Sequence, residues 1–105
     1  MIKHIVMWKL KDFAEGCSRE ENAIKIKAML EALRGRIEQV TYLEVGINTN
    51  SSDMAYDAVL VSEFENAQRL DEYKKHPEHV KVSGFVSKVR ENRVVVDYFV
   101  DTDEK

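Results

Sequence analysis

Apolar and polar positions alternate from Ile2 to Leu10, with Ile5 and Met7 on one face and His4, Val6, Trp8 and Leu10 on the other. A period of two predicts a strand. Both of its faces carry bulky apolar groups, so its sheet is expected to be covered twice, once by the chain's own helices and once by a second copy of the chain. Lys11 to Cys17 is expected to be a connecting loop. Ser18 and Glu21 then form a capping-box pattern, which predicts a helix start. Ala23, Ile26, Leu30, Leu33 and Ile37 recur at steps of three and four, one stripe of a helix. Lys25, Lys27, Glu31 and Arg34 lie off that stripe and are expected in solvent, with Gly35 in the fraying end.

Val40 to Ile47 reads as a second strand, with Leu43, Val45 and Ile47 sharing a face opposite Val40, Tyr42 and Glu44. Residues 48–53 are turn formers, and a third strand is expected from Ala55 to Phe64, hairpinned to the second. Asn66 can cap a short helix carrying Ala67, Leu70 and Tyr73. Pro77 ends that helix and starts another, because it lacks an N–H and has a fixed φ. The new helix is expected to run to about Glu91, with Val82, Phe85, Val86 and Val89 on its apolar face. His79 falls on the same face. The last strand is expected over Asn92–Val100, with Val94, Val96 and Tyr98 opposite Arg93, Val95, Asp97 and Phe99, followed by a polar tail, Asp103–Lys105.

Strand, helix, strand, strand, helix pair, strand is the split βαβ plan. The fold class expected is α+β, a ferredoxin-like four-stranded antiparallel sheet with helices on one face. At 105 residues, one domain spanning 1–105 is expected. Sixteen basic and nineteen acidic residues are interspersed, for a net charge of −3, so no nucleic-acid partner is expected. No apolar run approaches the ~20 residues of a membrane helix. Met1 to Ile5 runs straight into the strand pattern, so no secretory leader is expected. The lone Cys17 fits a reducing, cytoplasmic setting.

The chemistry gathers at Tyr73-Lys74-Lys75-His76-Pro77-Glu78-His79. Together with Lys3-His4 in the first strand, Tyr56–Phe64 in the third and Asp97-Tyr98 in the last, this element resembles the stress-responsive A/B barrel domain family of the dimeric α+β barrel superfamily. The resemblance covers nearly the whole chain. It implies a homodimer formed through the sheet, giving a dimeric α+β barrel. It also implies, from a plant branch of cofactor-free polyketide cyclases, a catalytic His79 and Tyr73 with His4 and Asp97 nearby. The chain departs from that branch at Lys27 and Ala58, where the branch has a tyrosine and a histidine.

As chemistry, a neutral His79 can take a proton from a carbon next to a carbonyl. Asp97 is expected to hold the other ring nitrogen of His79, and Tyr73 to donate to the oxygen that becomes an enolate. Val6, Trp8, Leu30, Leu33, Val82 and Val86 are expected to form an apolar pocket for a small hydrophobic carbonyl ligand. The function expected is cofactor-free acid–base chemistry of a cyclase or isomerase kind. The alternatives are a dimeric binding protein without a reaction, and a metal or haem protein using the histidines and Asp97. The latter is disfavoured because Pro77 intervenes and His76 is expected to face outward as a turn residue, so no metal and no cofactor is expected.

Overall fold

The computed structural model describes residues 1–100, so the expected polar tail at 103–105 lies outside the described residues. Four strands form one antiparallel sheet: β1 (Ile2–Leu10), β4 (Val40–Ile47), β5 (Ala58–Phe64) and β6 (Arg90–Phe99), in the order β4-β5-β1-β6. Three helices, α1 (Arg19–Glu31), α2 (Ala67–Lys75) and α3 (Pro77–Val89), connect them. This is the ferredoxin-like plan read from the alternation of elements. The inward residues of β1 (Val6, Trp8 and Leu10) are buried with Ile26 and Leu30 of α1 and Val86 and Val89 of α3.

The other face of the sheet carries Met7, Tyr42, Val94, Val96 and Tyr98, all exposed, and the half-buried Ile5, Val59 and Val61. A single chain leaves this apolar face open, as the doubly apolar first strand implied. No helix of the described residues is long and apolar enough to cross a membrane.

The expected loop over Lys11–Cys17 contains a small hairpin, β2 (Phe13–Ala14) with β3 (Cys17–Ser18). Glu15 and Gly16 both take positive φ, 51° and 76°, which a two-residue hairpin turn of this hand needs at both central positions. The buried Asn22 of α1 ties the hairpin down by donating to the Ala14 carbonyl at 3.0 Å. The capping box forms as read: the Glu21 amide donates to Ser18 Oγ at 3.2 Å, and the Ser18 amide donates to Glu21 Oε1 at 2.8 Å.

The first helix stops at Glu31, short of the apolar stripe. Leu33 and Ile37 are buried all the same, from the turns that follow. Lys27, Glu31 and Arg34 are not simply solvated. β4 is an edge strand, and Lys27 Nζ donates to the Val45 carbonyl at 2.6 Å while Glu31 Oε2 accepts from the Val45 amide at 3.2 Å. Arg34 donates to the Leu43 carbonyl at 3.1 Å. Charged side chains thus occupy backbone groups that another strand could otherwise pair with. Ile47, at the strand's end, is exposed rather than sharing the burial of Leu43 and Val45.

The third long strand starts at Ala58 rather than Ala55, and α3 passes into β6 at Arg90 without a loop. Asp57 is used instead as a clamp on β1: its amide donates to the Trp8 carbonyl and its Oδ2 accepts from the Leu10 amide at 2.6 Å. β6 pairs with β1 in register from Ile2↔Phe99 to Lys9↔Asn92, after which a bulge shifts the pairing to Leu10↔Arg90.

Candidate functional site

The site grows out of the kink at Pro77. Lys74 and Lys75 end α2, and Pro77 is the first residue of α3. Between them His76 is extended (φ −62°, ψ 134°), as the residue before a proline must be. Its Nδ1 accepts from the Glu78 amide at 3.1 Å, so His76 caps α3 as a turn residue. Among the described residues no group of three or more His, Cys, Asp or Glu is placed to hold a metal ion.

The kink brings the first turn of α3 back over the end of α2. The half-buried His79 ring lies 4.6 Å from the ring of Tyr73, and its Nδ1 is 3.1 Å from the Lys74 carbonyl oxygen. A carbonyl can only accept, so Nδ1 carries the proton and the lone pair of neutral His79 is on Nε2. Burial pushes the His79 pKa down, aided by the charges of His4, Arg93 and Lys74, against an upward pull from the Lys74 carbonyl.

Asp97 does not hold His79. The antiparallel register sets it directly opposite His4, and His4 Nδ1 lies 2.5 Å from Asp97 Oδ1. Direct cross-strand neighbours meet at close range whatever the helices do, and the sheet pairing captures the carboxylate first. Lys74 Nζ lies 3.9 Å from the other Asp97 oxygen. His4 itself is buried, which lowers its pKa, while the hydrogen bond and charge of Asp97 pull it back up. Its Nδ1 also donates, leaving Nε2 as the open position.

Tyr73 departs further from expectation. It is fully buried, its ring 4.9 Å from Phe64, and it does not line the cavity beside the histidines. Its hydroxyl has no hydrogen-bond partner among the described residues. Burial alone pushes the phenol pKa up, so Tyr73 keeps its proton.

The two histidines share one cavity of about 260 Å³. His4, Val6 and Trp8 of β1 and Leu60 of β5 form its sheet side, and His79, Ser83, Val86 and Ser87 its helix side; Arg90 and Arg93 complete the lining. Of the expected apolar wall, Val6, Trp8 and Val86 are in place. Leu30, Leu33 and Val82 are buried but do not line the cavity. α1 packs mainly over β4, so Leu30 serves the core there, and Leu33 is buried from the turns after the helix. The cavity is also more polar than expected. Ser83 and Ser87 follow His79 at helical steps of four, and Arg93 lies four residues from Asp97 on one strand face. Both patterns are present in the sequence. Arg90 follows Val86 by one helical turn as the C-cap of α3, and the bulge pairs it with Leu10. A larger cleft of about 510 Å³, lined by exposed Met1, Glu38, Thr41, Glu65 and Arg69 together with Gln39, contains no histidine.

The Stress responsive A/B Barrel Domain matches residues 2–100. An uncharacterised protein of Streptomyces coelicolor is 35% identical over 82 residues, covering 75% of this chain and 79% of that one. A stress-response A/B barrel domain-containing protein of Arabidopsis thaliana is 28% identical over 96% of this chain, but the match covers only 48% of that longer protein. Among solved structures, a dimeric protein of unknown function and ferredoxin-like fold from Bacteroides fragilis aligns with a TM-score of 0.78 and 34% identity, covering 92% of this chain and 93% of that one.

Proposed function

This chain belongs to the stress-responsive A/B barrel domain family, and on that premise we propose that it is a homodimer whose sheet–helix cavity binds a small carbonyl compound and moves a proton on it. The observation that carries the reading is the pair of imidazoles on one cavity, each with Nδ1 engaged and Nε2 left open. Neutral imidazole is the form a general base requires near pH 7.

The surroundings divide the roles. Burial lowers both histidines, and only His4 has a carboxylate to stabilise its imidazolium. Two imidazoles whose neighbours differ in this way can divide the roles of acid and base. His79 Nε2 takes the proton from the carbon next to the carbonyl. The C–H electron pair becomes the enol double bond, and the carbonyl π pair moves to oxygen. That oxygen takes a proton from His4 Nε2 in the imidazolium form, which Asp97 stabilises at Nδ1 and which is the minor form at pH 7.5. His4 with Asp97 thereby takes the donor's part that Tyr73 was expected to play. Return of the His79 proton to carbon, as the enol O–H proton passes back to His4, completes an isomerisation; in a cyclisation the enol carbon instead attacks a second carbonyl, whose oxygen takes the His79 proton as the enol O–H proton passes back to His4. The same reading places the open sheet face against a second copy, consistent with the dimeric Bacteroides fragilis structure, and takes the free thiol of Cys17 as consistent with a cytoplasmic location.

The test is deuterium uptake at C3 of 2-oxobutanoate in D2O, followed by proton NMR. The protein is expected to accelerate uptake, and His79→Gln to lose at least ~100-fold of that acceleration, the usual contribution of a positioned base. Equal rates for wild type and His79→Gln sink the assignment. A second reading, a dimeric binding protein without turnover, is favoured by the withdrawal of Tyr73 from the cavity. Binding of the probe with no accelerated uptake would establish it.

A further inference from the structure

We infer that the cavity takes its carbonyl compound by an anionic group, a carboxylate gripped by Arg90 and Arg93; the inference rests on the carbonyl reading above and names its substrate class. Among the described residues the side chains of Arg90 and Arg93 have no ion-pair or hydrogen-bond partner. The guanidiniums of Arg19, Arg36 and Arg69 face Asp12, Glu78 and Glu72, and that of Arg34 holds the Leu43 carbonyl. Two guanidiniums with nothing to bind lie on the one cavity that also holds two histidines.

The backbone is shaped to put them there. β1 and β6 pair with Trp8 opposite Arg93 and Lys9 opposite Asn92, and the same register continued would set Leu10 opposite Glu91. The bulge between Lys9 and Leu10 sets Leu10 opposite Arg90 instead. Leu10 is inward and buried, so the one-residue shift brings an arginine to the cavity side where a glutamate would have been. Bulges beside sites commonly re-aim a side chain in this way. Among the described residues no carboxylate lines the cavity. Asp97, the carboxylate beside His4, is already held by it at 2.5 Å and approached by Lys74 at 3.9 Å.

A planar guanidinium fork matches a carboxylate in two parallel hydrogen bonds. Arg93 is exposed and Arg90 half-buried, whereas His4 is buried. A carboxylate at the arginines therefore points the carbonyl end of the same molecule inward, toward the open Nε2 atoms. The volume of about 260 Å³ is roughly nine water volumes at ~30 Å³ each, room for a short-chain oxo acid.

The test compares 2-oxobutanoate with its uncharged amide, 2-oxobutanamide, titrated against the intact protein. Binding is read from the imidazole proton resonances of His4 and His79. The carboxylate is expected to bind at least tenfold more tightly. Arg90→Gln and Arg93→Gln should each weaken it roughly ten- to a hundredfold, the range for charge-assisted hydrogen bonds, and leave the amide within twofold. Lys81→Gln, on the exposed side of α3, controls for general charge. Equal affinity for acid and amide, or loss no greater in the arginine variants than in Lys81→Gln, overturns the inference. The two proposals fail separately. His79-dependent deuterium uptake by the amide with no arginine effect leaves the base assignment standing alone. Arginine-dependent binding with no uptake leaves the anion site standing alone.

Discussion

Replacing Tyr73 separates its ring from its hydroxyl. The ring is fully buried, 4.9 Å from Phe64 and 4.6 Å from His79. Truncating a buried aromatic to alanine costs about 3–5 kcal/mol from lost transfer energy and the cavity left behind. The hydroxyl has no partner among the described residues, and a buried hydroxyl without one carries a penalty of about 1–3 kcal/mol. Tyr73→Phe removes that penalty and almost no volume, so it should leave stability unchanged or raise it by about 1 kcal/mol. Tyr73→Ala should lose about 3–5 kcal/mol, a large part of the 5–15 kcal/mol typical of a domain. At about 4–8 °C per kcal/mol for a chain of this size, the two variants should melt well apart. Urea and thermal unfolding at one fixed protomer concentration would measure both, since the proposed dimer would link stability to concentration. Deuterium uptake should survive in Tyr73→Phe. A loss of more than about 1.5 kcal/mol in Tyr73→Phe would show that the hydroxyl makes a bond that counts, and loss of uptake in a stable Tyr73→Phe would return the phenol to the reaction.

Acid should weaken the fold through its histidines. His4 and His79 are both lowered below 6.5 by burial, so the unfolded chain takes up protons first as pH falls. Their contribution is complete above about pH 6.5 and is lost as pH falls from there through the folded values; urea midpoints at pH 7.5 and 5.5 should show the drop, and the double variant His4→Gln, His79→Gln should flatten it. A midpoint that rises on acidification across that window contradicts the burial argument. Lys27→Met keeps the aliphatic stem but removes the ammonium from the Val45 carbonyl; it should cost about 1 kcal/mol and raise light scattering through pairing at the β4 edge. Val96→Asp places a charge on the open sheet face beside Met7 and Val94 and should bring the solution mass to that of one chain. An unchanged dimer mass would move the interface elsewhere.

Much of this was written in local pattern. The alternation of Ile2–Leu10, the Ser18–Glu21 capping box and the Asn66 cap each depend on neighbours within a few residues, and each formed as read. His79 could be placed at the kink for the same reason, since Pro77 permits few arrangements around it. Asp97 could not be assigned a partner that way. Which residue faces it depends on the register of two strands 93 residues apart in the chain, and that register chose His4. Arg90 was missed because it sits where helix passes into strand: helical steps from Val86 and Ser87 point it to the cavity, while period-two counting cannot anticipate the bulge. Lys27, Glu31 and Arg34 read as solvated because helical spacing says nothing of an unpaired strand edge lying within their reach. Leu33 and Ile37 show the converse: burial was right although the helix had ended.

The most direct test of the central claim is the nitrogen-15 spectrum of the histidine side chains at pH 7.5, recorded with long-range proton correlation. Free neutral histidine favours the proton on Nε2, so the protein must impose any other state. His79 and His4 are both expected to carry it on Nδ1, held by the Lys74 carbonyl and by Asp97, with Nε2 unprotonated in the predominant form. A protonated Nε2 on His79, whether as the other tautomer or as the cation, would leave the cavity without its base and contradict the account.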